Sequence, residues 1–458
     1  MQNIIIPGSS RRTFLHQSAA VVGAGIIAPM ILPSSARGAN DRLNIAWVGI
    51  GNQGGQDLRS CANGNNVVAL CDCDPNIWGK FKKDFPEAKF YTDFRKMFAE
   101  MGDKIDAVGV ATPDHTHFAI TTLAMNLGKH VFVEKPLAHT IWEVRKLKEL
   151  AQKKGVVTQM GNQGHASEGA RLIKEWYESG LIGEVKNVIA WTDRPKAGWG
   201  FYGHVKTAYP ESKPIPEGMD WDLWLGPVDK KIGFSKELHP TTWRPWWDFG
   251  AGGLGDIGCH TIDTAYWALN LSAPHKIEVE LTEKVNPLFT PNGSVVNYHF
   301  AERGSKPAVN IKWYEGPQMP PAPEGFDGVL RKDGGFIMVG SKGGIYHSGM
   351  RPDSPQLYPN AKWEEYRNNP NMRVAKTLER TSGIHRDFIN AIKSGKKACS
   401  DFSYSAPLTE AIILGTLAIR TGQTVLWDSD KMEITGNPEA SKMINAKARD
   451  GWRYEDFI

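Results

Sequence analysis

The sequence predicts an α/β chain whose first half folds as a doubly wound parallel sheet and is followed by a second domain. Three observations carry that expectation. Short apolar runs of strand length alternate with helical stretches from Leu43 onward. The first run opens directly into the glycine pattern Gly49-Ile50-Gly51-Asn52-Gln53-Gly54. A chain of 458 residues suits two hydrophobic cores better than one.

Before the first strand stands Ser10-Arg11-Arg12-Thr13-Phe14-Leu15, then an apolar stretch from Ala19 to Leu32 and the small residues Ser34-Ser35-Ala36. A charged start, short apolar core and small-residue exit predict a twin-arginine signal peptide over residues 1–39, cut after Ala36, Gly38 or Ala39. A membrane anchor is the rival, but the segment is short for a bilayer span and holds Gly23, Gly25 and Pro29. The expected partner is the twin-arginine translocase, which moves folded proteins. The expected location is the periplasm or another extracytoplasmic space, in soluble form. Without Arg11, Arg12 and Arg37 the chain has 51 basic and 50 acidic residues, so nucleic acid and anionic membrane surfaces are not expected partners. Cys61, Cys71, Cys73, Cys259 and Cys399 are an odd set, and folding in a reducing cytoplasm predicts free thiols. Cys71-Asp72-Cys73 lacks the second ligand pair of a zinc site, so neither metal nor disulfide is expected.

Leu43–Val48 reads as a buried strand, Val67–Cys71 as the second, Ala107–Ala111 and His130–Val133 as the next two. In the intervening turn, Gly49 permits the sharp bend, Gly51 lets the backbone approach a pyrophosphate, and Gly54 lets helix and strand pack closely. Amides near Asn52 and Gln53, at the helix start, can hold the phosphates. Asp72 ends the second strand 23 positions after Gly49, where a carboxylate accepts bonds from ribose hydroxyls and repels a 2′-phosphate. The cofactor is therefore expected to be NAD rather than NADP. It should be tightly bound, because an exported protein must carry it out.

Chemistry in such sheets belongs at strand ends, and two motifs stand there: Thr112-Pro113-Asp114-His115-Thr116-His117 and Glu134-Lys135-Pro136. Further on, Asp256 to Leu269 reads as a helix, with Asp256 and His260 four apart on one face. In its first turn His260 would feel the positive end of the helix dipole and stay neutral, fit to act as a general base that Asp256 orients. A metal held by Asp256, His260 and Asp263 is possible by spacing alone. Trp221, Trp224, Trp243, Trp246 and Trp247 cluster just upstream and lean toward a sugar or polyol cleft, with Arg244 among them. Core packing is the alternative for each. Pro and Gly gather between Glu315 and Gly335, a surface excursion of the second domain.

On the Gly49–Gly54 pattern, Thr112-Pro113 with His117, Glu134-Lys135-Pro136, Asp256-Ile257-Gly258-Cys259-His260, and the ending from Ser382-Gly383-Ile384-His385 to Trp427-Asp428, the chain resembles the glucose–fructose oxidoreductase, inositol dehydrogenase and MocA (Gfo/Idh/MocA) family. The resemblance implies a Rossmann NAD-binding domain over residues 40–165. It implies a substrate and oligomerisation domain over 166–458 with a large, mostly antiparallel open sheet, used in homodimers or homotetramers. It implies that Lys135 is the catalytic lysine, with a cis bond before Pro136, and that Asp256 and His260 are an acid–base pair. Thr112, Pro113, His117 and Glu134 would line the nicotinamide ribose. Where many members place an arginine this chain has His165, after Gln163, so these two residues and Trp246 are further candidates for the substrate side.

The resulting expectation is an NAD-dependent oxidoreductase acting on a hydroxyl of a sugar, cyclitol or glycoside. His260 removes the proton, Lys135 stabilises the alkoxide, and Asp256 orients His260. One rival is redox-neutral glycoside cleavage by oxidation, elimination and reduction; against it, the chain keeps the lysine motif and the Asp256–His260 pair that the family's α-N-acetylgalactosaminidase branch alters. The other is a non-catalytic sugar- or nucleotide-binding protein, against which the same three residues argue.

Overall fold

A computed structural model describes residues 42–195, 202 and 204–458; the signal-like segment of residues 1–39 lies outside them. The first sheet has six parallel strands, β1 (Asn44–Val48), β2 (Asn66–Cys71), β3 (Lys89–Tyr91), β4 (Ala107–Val110), β5 (His130–Val133) and β6 (Thr158–Met160), in the order β3-β2-β1-β4-β5-β6. The chain builds outward from β1 to β3, then returns to lay β4 on the other side of β1. That reversal opens a crevice at the carboxyl ends of β1 and β4.

The strands are short and apolar because both faces are covered, as parallel sheets require. Val108, Val110, Val131, Phe132 and Val133 are fully buried. On one side lies the helix Ile141–Lys154, whose Ile141, Val144, Leu147, Leu150 and Ala151 repeat at three- and four-residue spacing and face the core. Thr140 and Glu143 cap its start reciprocally, and Gly155, at φ 63, ends it. The other side is closed by the helix Asn52–Ala62 and by one from far along the chain, Ile384–Ser394. Ile384, Phe388, Ile389 and Ile392 pack with Leu43, Ile45, Trp47 and Phe132. Late sequence thus completes the first core.

The second sheet has nine strands: β7 (Val185–Thr192), β8 (Lys276–Leu281), β9 (Ser294–Phe300), β10 (Val309–Glu315), β11 (Gly335–Gly340), β12 (Gly343–Ser348), β13 (Gln356–Tyr358), β14 (Val425–Asp428) and β15 (Glu433–Thr435). Their order is β13-β12-β11-β7-β10-β9-β8-β14-β15, antiparallel throughout except the β7–β10 pair. In β10, buried Val309, Ile311 and Trp313 alternate with Asn310 and Lys312, the period-two pattern of a sheet with one face on the core. The helix Phe402–Thr421 is long and apolar enough to cross a membrane, but most of it is buried inside the protein, where it is a core helix. Between β10 and β11 residues 316–334 form no helix or strand, as the Pro and Gly content predicted.

The helix expected from Asp256 begins earlier. Helical backbone starts at Gly252, passes through a π-turn over Leu254–Gly258 and breaks at Ile262. Gly258 packs so closely on the core helix that a Cβ there would stand 2.8 Å from Ile412 Cδ1. All five cysteines are unpaired, with Cys61, Cys71 and Cys259 buried.

Candidate active site

Strand register sets the frame of the site. Val48 pairs with Cys71 and with Val110, and Val110 pairs with Val133. The residues that follow, Gly49, Asp72, Ala111 and Glu134, therefore emerge in one row at the carboxyl edge. Four adjacent strand ends span about 14 Å at ordinary strand spacing. A cavity of about 860 Å³ runs along this row from the Gly49 turn to the second domain.

Gly49 and Gly54 take the sharp turn and the close helix packing expected of them. Gly49 has φ 81, and a Cβ on it would lie 2.7 Å from the Ala111 backbone. A Cβ on Gly54 would sit 2.1 Å from Gly49 O, so only glycine lets helix and turn close. A Cβ on Gly51 meets nothing nearer than Ile77 Cδ1 at 3.7 Å; it would fill the cradle itself. No side chain caps the Asn52–Ala62 helix, and its first turn holds no acidic residue, so its amides are left for an anion. Gln53 turns its side chain to Asp57 (2.8 Å), leaving the backbone to face the cradle. Asp72 is held by the amides of Ile50 (3.0 Å) and Asp74 (3.1 Å). Burial nevertheless pushes its pKa up to about 6. These features fit a dinucleotide: phosphates on the helix start and a ribose diol on Asp72.

At the other end the two domains meet on one carboxylate. Lys135 follows β5 through the cis Lys135–Pro136 pair, and its Nζ donates to Asp256 Oδ1 (2.7 Å) and to the Asp256 main-chain oxygen (2.9 Å). Asp256 Oδ2 accepts from Arg194 (2.9 Å) and from the Tyr202 hydroxyl (2.8 Å), while Arg244 Nε stands 3.5 Å from Oδ1. Burial alone would raise the Asp256 pKa; Lys135, Arg244 and Arg194 together hold it well below the usual carboxylate range. Asp256 thus orients Lys135, not His260 as expected. One turn of a helix brings two side chains near each other, but the nearer cations capture the carboxylate.

His260 lines the cavity, yet its Nδ1 is buried with no partner among the described residues. It lies well inside the helical segment, so the dipole argument fails. Burial first, then the charges of Lys135 and Arg351, hold its pKa well below the imidazole value. Burial and neighbouring cations, not a helix dipole, therefore favour the neutral ring.

Thr112, Pro113, Glu134, Gln163 and Arg244 also line the cavity. Gln163 bridges domains: its Nε2 donates to Glu134 Oε1 (2.8 Å) and its Oε1 accepts from Arg351 (3.1 Å). Three candidates do not reach it. His117 is buried behind the wall, its ring nitrogens 2.9 Å from Pro136 O and 2.8 Å from Thr112 O, and burial lowers its pKa to about 4. It braces the two strand-end motifs instead of touching a ribose. His165 is buried and paired with Asp263 Oδ2 (3.0 Å). Trp246 is buried and donates to Glu237 O (3.1 Å). Of the five clustered tryptophans, Trp224 and Trp243 line the cavity; Trp221, Trp246 and Trp247 pack in cores, Trp221 stacked on Trp224 at 4.3 Å. Asp263 faces Asn162, His165 and Tyr404, so Asp256, His260 and Asp263 do not converge as a metal would need.

Sequence reasoning missed Arg194, Tyr202 and Arg351. Arg194 and Tyr202 lie on the connection after β7 and Arg351 on the one after β12, with no spacing that singles any of them out.

Residues 18–162 match the family described as oxidoreductase family, NAD-binding Rossmann fold, and residues 167–299 match its C-terminal alpha/beta domain. The 1-carboxy-3-chloro-3,4-dihydroxycyclohexa-1,5-diene dehydrogenase of Comamonas testosteroni is 32% identical over 120 residues, which are 26% of this chain and 30% of that protein. Inositol 2-dehydrogenase of Salmonella typhimurium is 34% identical over 148 residues, 31% of this chain and 43% of that one. The match thus spans less than half of either relative. In fold, the chain is similar to levoglucosan dehydrogenase solved with NADH and levoglucosan, at TM-score 0.56 and 18% identity, covering 84% of this chain and 99% of that one.

Proposed function

The chain belongs to the Gfo/Idh/MocA oxidoreductase family, and on that premise we propose that it is an exported NAD-dependent dehydrogenase acting on a hydroxyl of a sugar, cyclitol or glycoside. The observation that carries this reading is the fixed Lys135–Asp256 pair (2.7 Å) beside a neutral His260, at the end of the cavity remote from Asp72. NAD, when bound, supplies the hydride acceptor. His260 takes the hydroxyl proton, for which a neutral imidazole is needed. Lys135 stabilises the oxygen as it becomes an alkoxide, and in the reverse direction the protonated His260 returns the proton. Asp256 holds Lys135 in place and is itself fixed by Arg194 and Tyr202. The relatives' names, an inositol and a levoglucosan dehydrogenase, support a polyol or sugar substrate.

Export rests on the Arg11-Arg12 segment, and unpaired cysteines accord with folding before transport. Homodimers or homotetramers built through the nine-stranded sheet complete the proposal.

His260→Ala and Lys135→Ala should each retain NAD binding and lose about 10²–10⁴-fold in turnover. Their combined loss should be smaller than the product, since both serve one proton transfer. Simple oxidation yields stoichiometric NADH; redox-neutral glycoside cleavage instead yields solvent deuterium in the sugar ring without net NADH. Full turnover in His260→Ala would overturn the assignment. Replacing Arg11 and Arg12 with Lys should leave precursor in the cytoplasm, and unchanged export would remove the twin-arginine part.

A further inference from the structure

The end of the cavity that holds Lys135 carries more positive charge than its carboxyl groups neutralise. Lys135, Arg194, Arg244 and Arg351 line it, opposed by Asp256, Asp114 and Glu134. Lys135, Arg194 and Arg244 gather on the single Asp256 carboxylate, at 2.7, 2.9 and 3.5 Å. Burial pushes the Asp114 pKa up to about 7 and the Glu134 pKa above the usual range, so neither adds to the negative charge beyond its full ionisation. Four cations against three carboxylates leave +1 among these lining residues even with every carboxylate ionised.

Arg351 is the cation that this arrangement leaves over. It stands on the connection after β12, and its Nη2 donates to the neutral amide of Gln163 (3.1 Å). Its Nε is buried with no partner, and among the described residues the side chain forms no ion pair. Its charge is felt by His260, which places it beside the proposed base. A guanidinium partly withdrawn from water without a counter-charge is costly, and its planar fork matches an oxyanion better than a hydroxyl.

We propose that the substrate is an anionic sugar or polyol, whose carboxylate or phosphate engages Arg351 while its hydroxyl meets His260 and Lys135. This rests on the oxidoreductase reading above and narrows its substrate class. The anion completes the charge balance that the protein leaves open, and a neutral polyol does not. The excess charge also draws an anion in, so association should weaken with salt.

The test uses the NAD-loaded mature protein and matched trios: D-glucose, D-glucuronate and D-glucose 6-phosphate, with the corresponding galactose set. Binding is read from tryptophan fluorescence, since Trp224 and Trp243 line the cavity, and turnover from NADH formation. An anionic member should bind at least about tenfold tighter than its neutral partner, as a charge-assisted bond to one arginine allows. Arg351→Gln should collapse that ratio to within about threefold. Preference for the uronate or for the phosphate identifies the source of the oxyanion. Neutral sugars binding as tightly as both anions overturn the proposal, as does saturable binding by no anionic member, or an Arg351→Gln variant that keeps the wild-type ratio. NADH formed from neutral sugars without an anion preference leaves the oxidoreductase reading standing and removes only this one.

Discussion

Asp256→Asn probes the site more sharply than removal of either proton-transfer residue. The carboxylate is buried, with 7% of its side chain exposed, and ties down Lys135 (2.7 Å), Arg194 (2.9 Å) and Tyr202 (2.8 Å). Asparagine keeps one acceptor but no charge, so the cations around it lose their shared counter-ion. Removing one partner of a buried ion pair costs about 3–5 kcal/mol, and about 3 kcal/mol is expected here because one acceptor survives. Lys135 keeps its bond to the Asp256 main-chain oxygen (2.9 Å), so it should shift instead of swinging free. A displacement of that kind costs on the order of 10²-fold in turnover. Urea denaturation gives the stability loss, and steady-state NADH formation gives the catalytic one. NAD affinity should hold, because Asp72 and the Gly49–Gly54 turn are at the far end of the cavity. The pH dependence has a definite sign. The folded Asp256 pKa lies well below its unfolded value of about 3.9, so its stabilisation is full above that value and is lost as pH falls through the folded pKa. Wild type and variant should therefore converge in strong acid. A variant with wild-type turnover and stability, or a stability gap that persists unchanged into strong acid, would refute the hub role.

Two glycine variants should separate folding from cofactor binding: Gly54→Ala forces a Cβ to 2.1 Å from Gly49 O and should lose the native first domain, whereas Gly51→Ala has 3.7 Å to Ile77 and should stay folded but bind NAD weakly, as thermal melts and NAD titration would read. Asp72→Ser should narrow the preference for NAD over NADP, and tighter NADP binding by the wild type would sink the assignment. Because burial sets the Asp72 pKa at about 6, NAD affinity should also fall as pH drops below that value, and the serine variant should lose this dependence. His260 keeps its neutral form far below the usual imidazole value, so kcat/KM should show no acid limb near pH 6.5; an acid limb there that disappears in His260→Ala would contradict the buried, neutral ring.

What the sequence determined by itself was whatever is written in local pattern. Strand length, apolar runs and the spacing of Gly49, Gly51 and Gly54 depend on neighbours within a few positions, so they are legible without the fold, and Asp72 and Lys135 follow from strand ends by counting. The nine-stranded sheet was legible only through family resemblance, since its neighbours in space, such as β7 beside β10, are far apart in the chain. Tertiary structure alone decided which partner each buried polar group takes. Asp256 and His260 share a helical segment, yet the carboxylate goes to Lys135, 121 positions away, because a desolvated charge is bound by the nearest opposite charge regardless of sequence distance. His117 and His165 carry the residue type of a site but lie behind its wall, paired to carbonyl oxygens and to Asp263. Arg194, Tyr202 and Arg351 show nothing in their own surroundings; they become site residues only when connections from separate strands and loops close around one cavity.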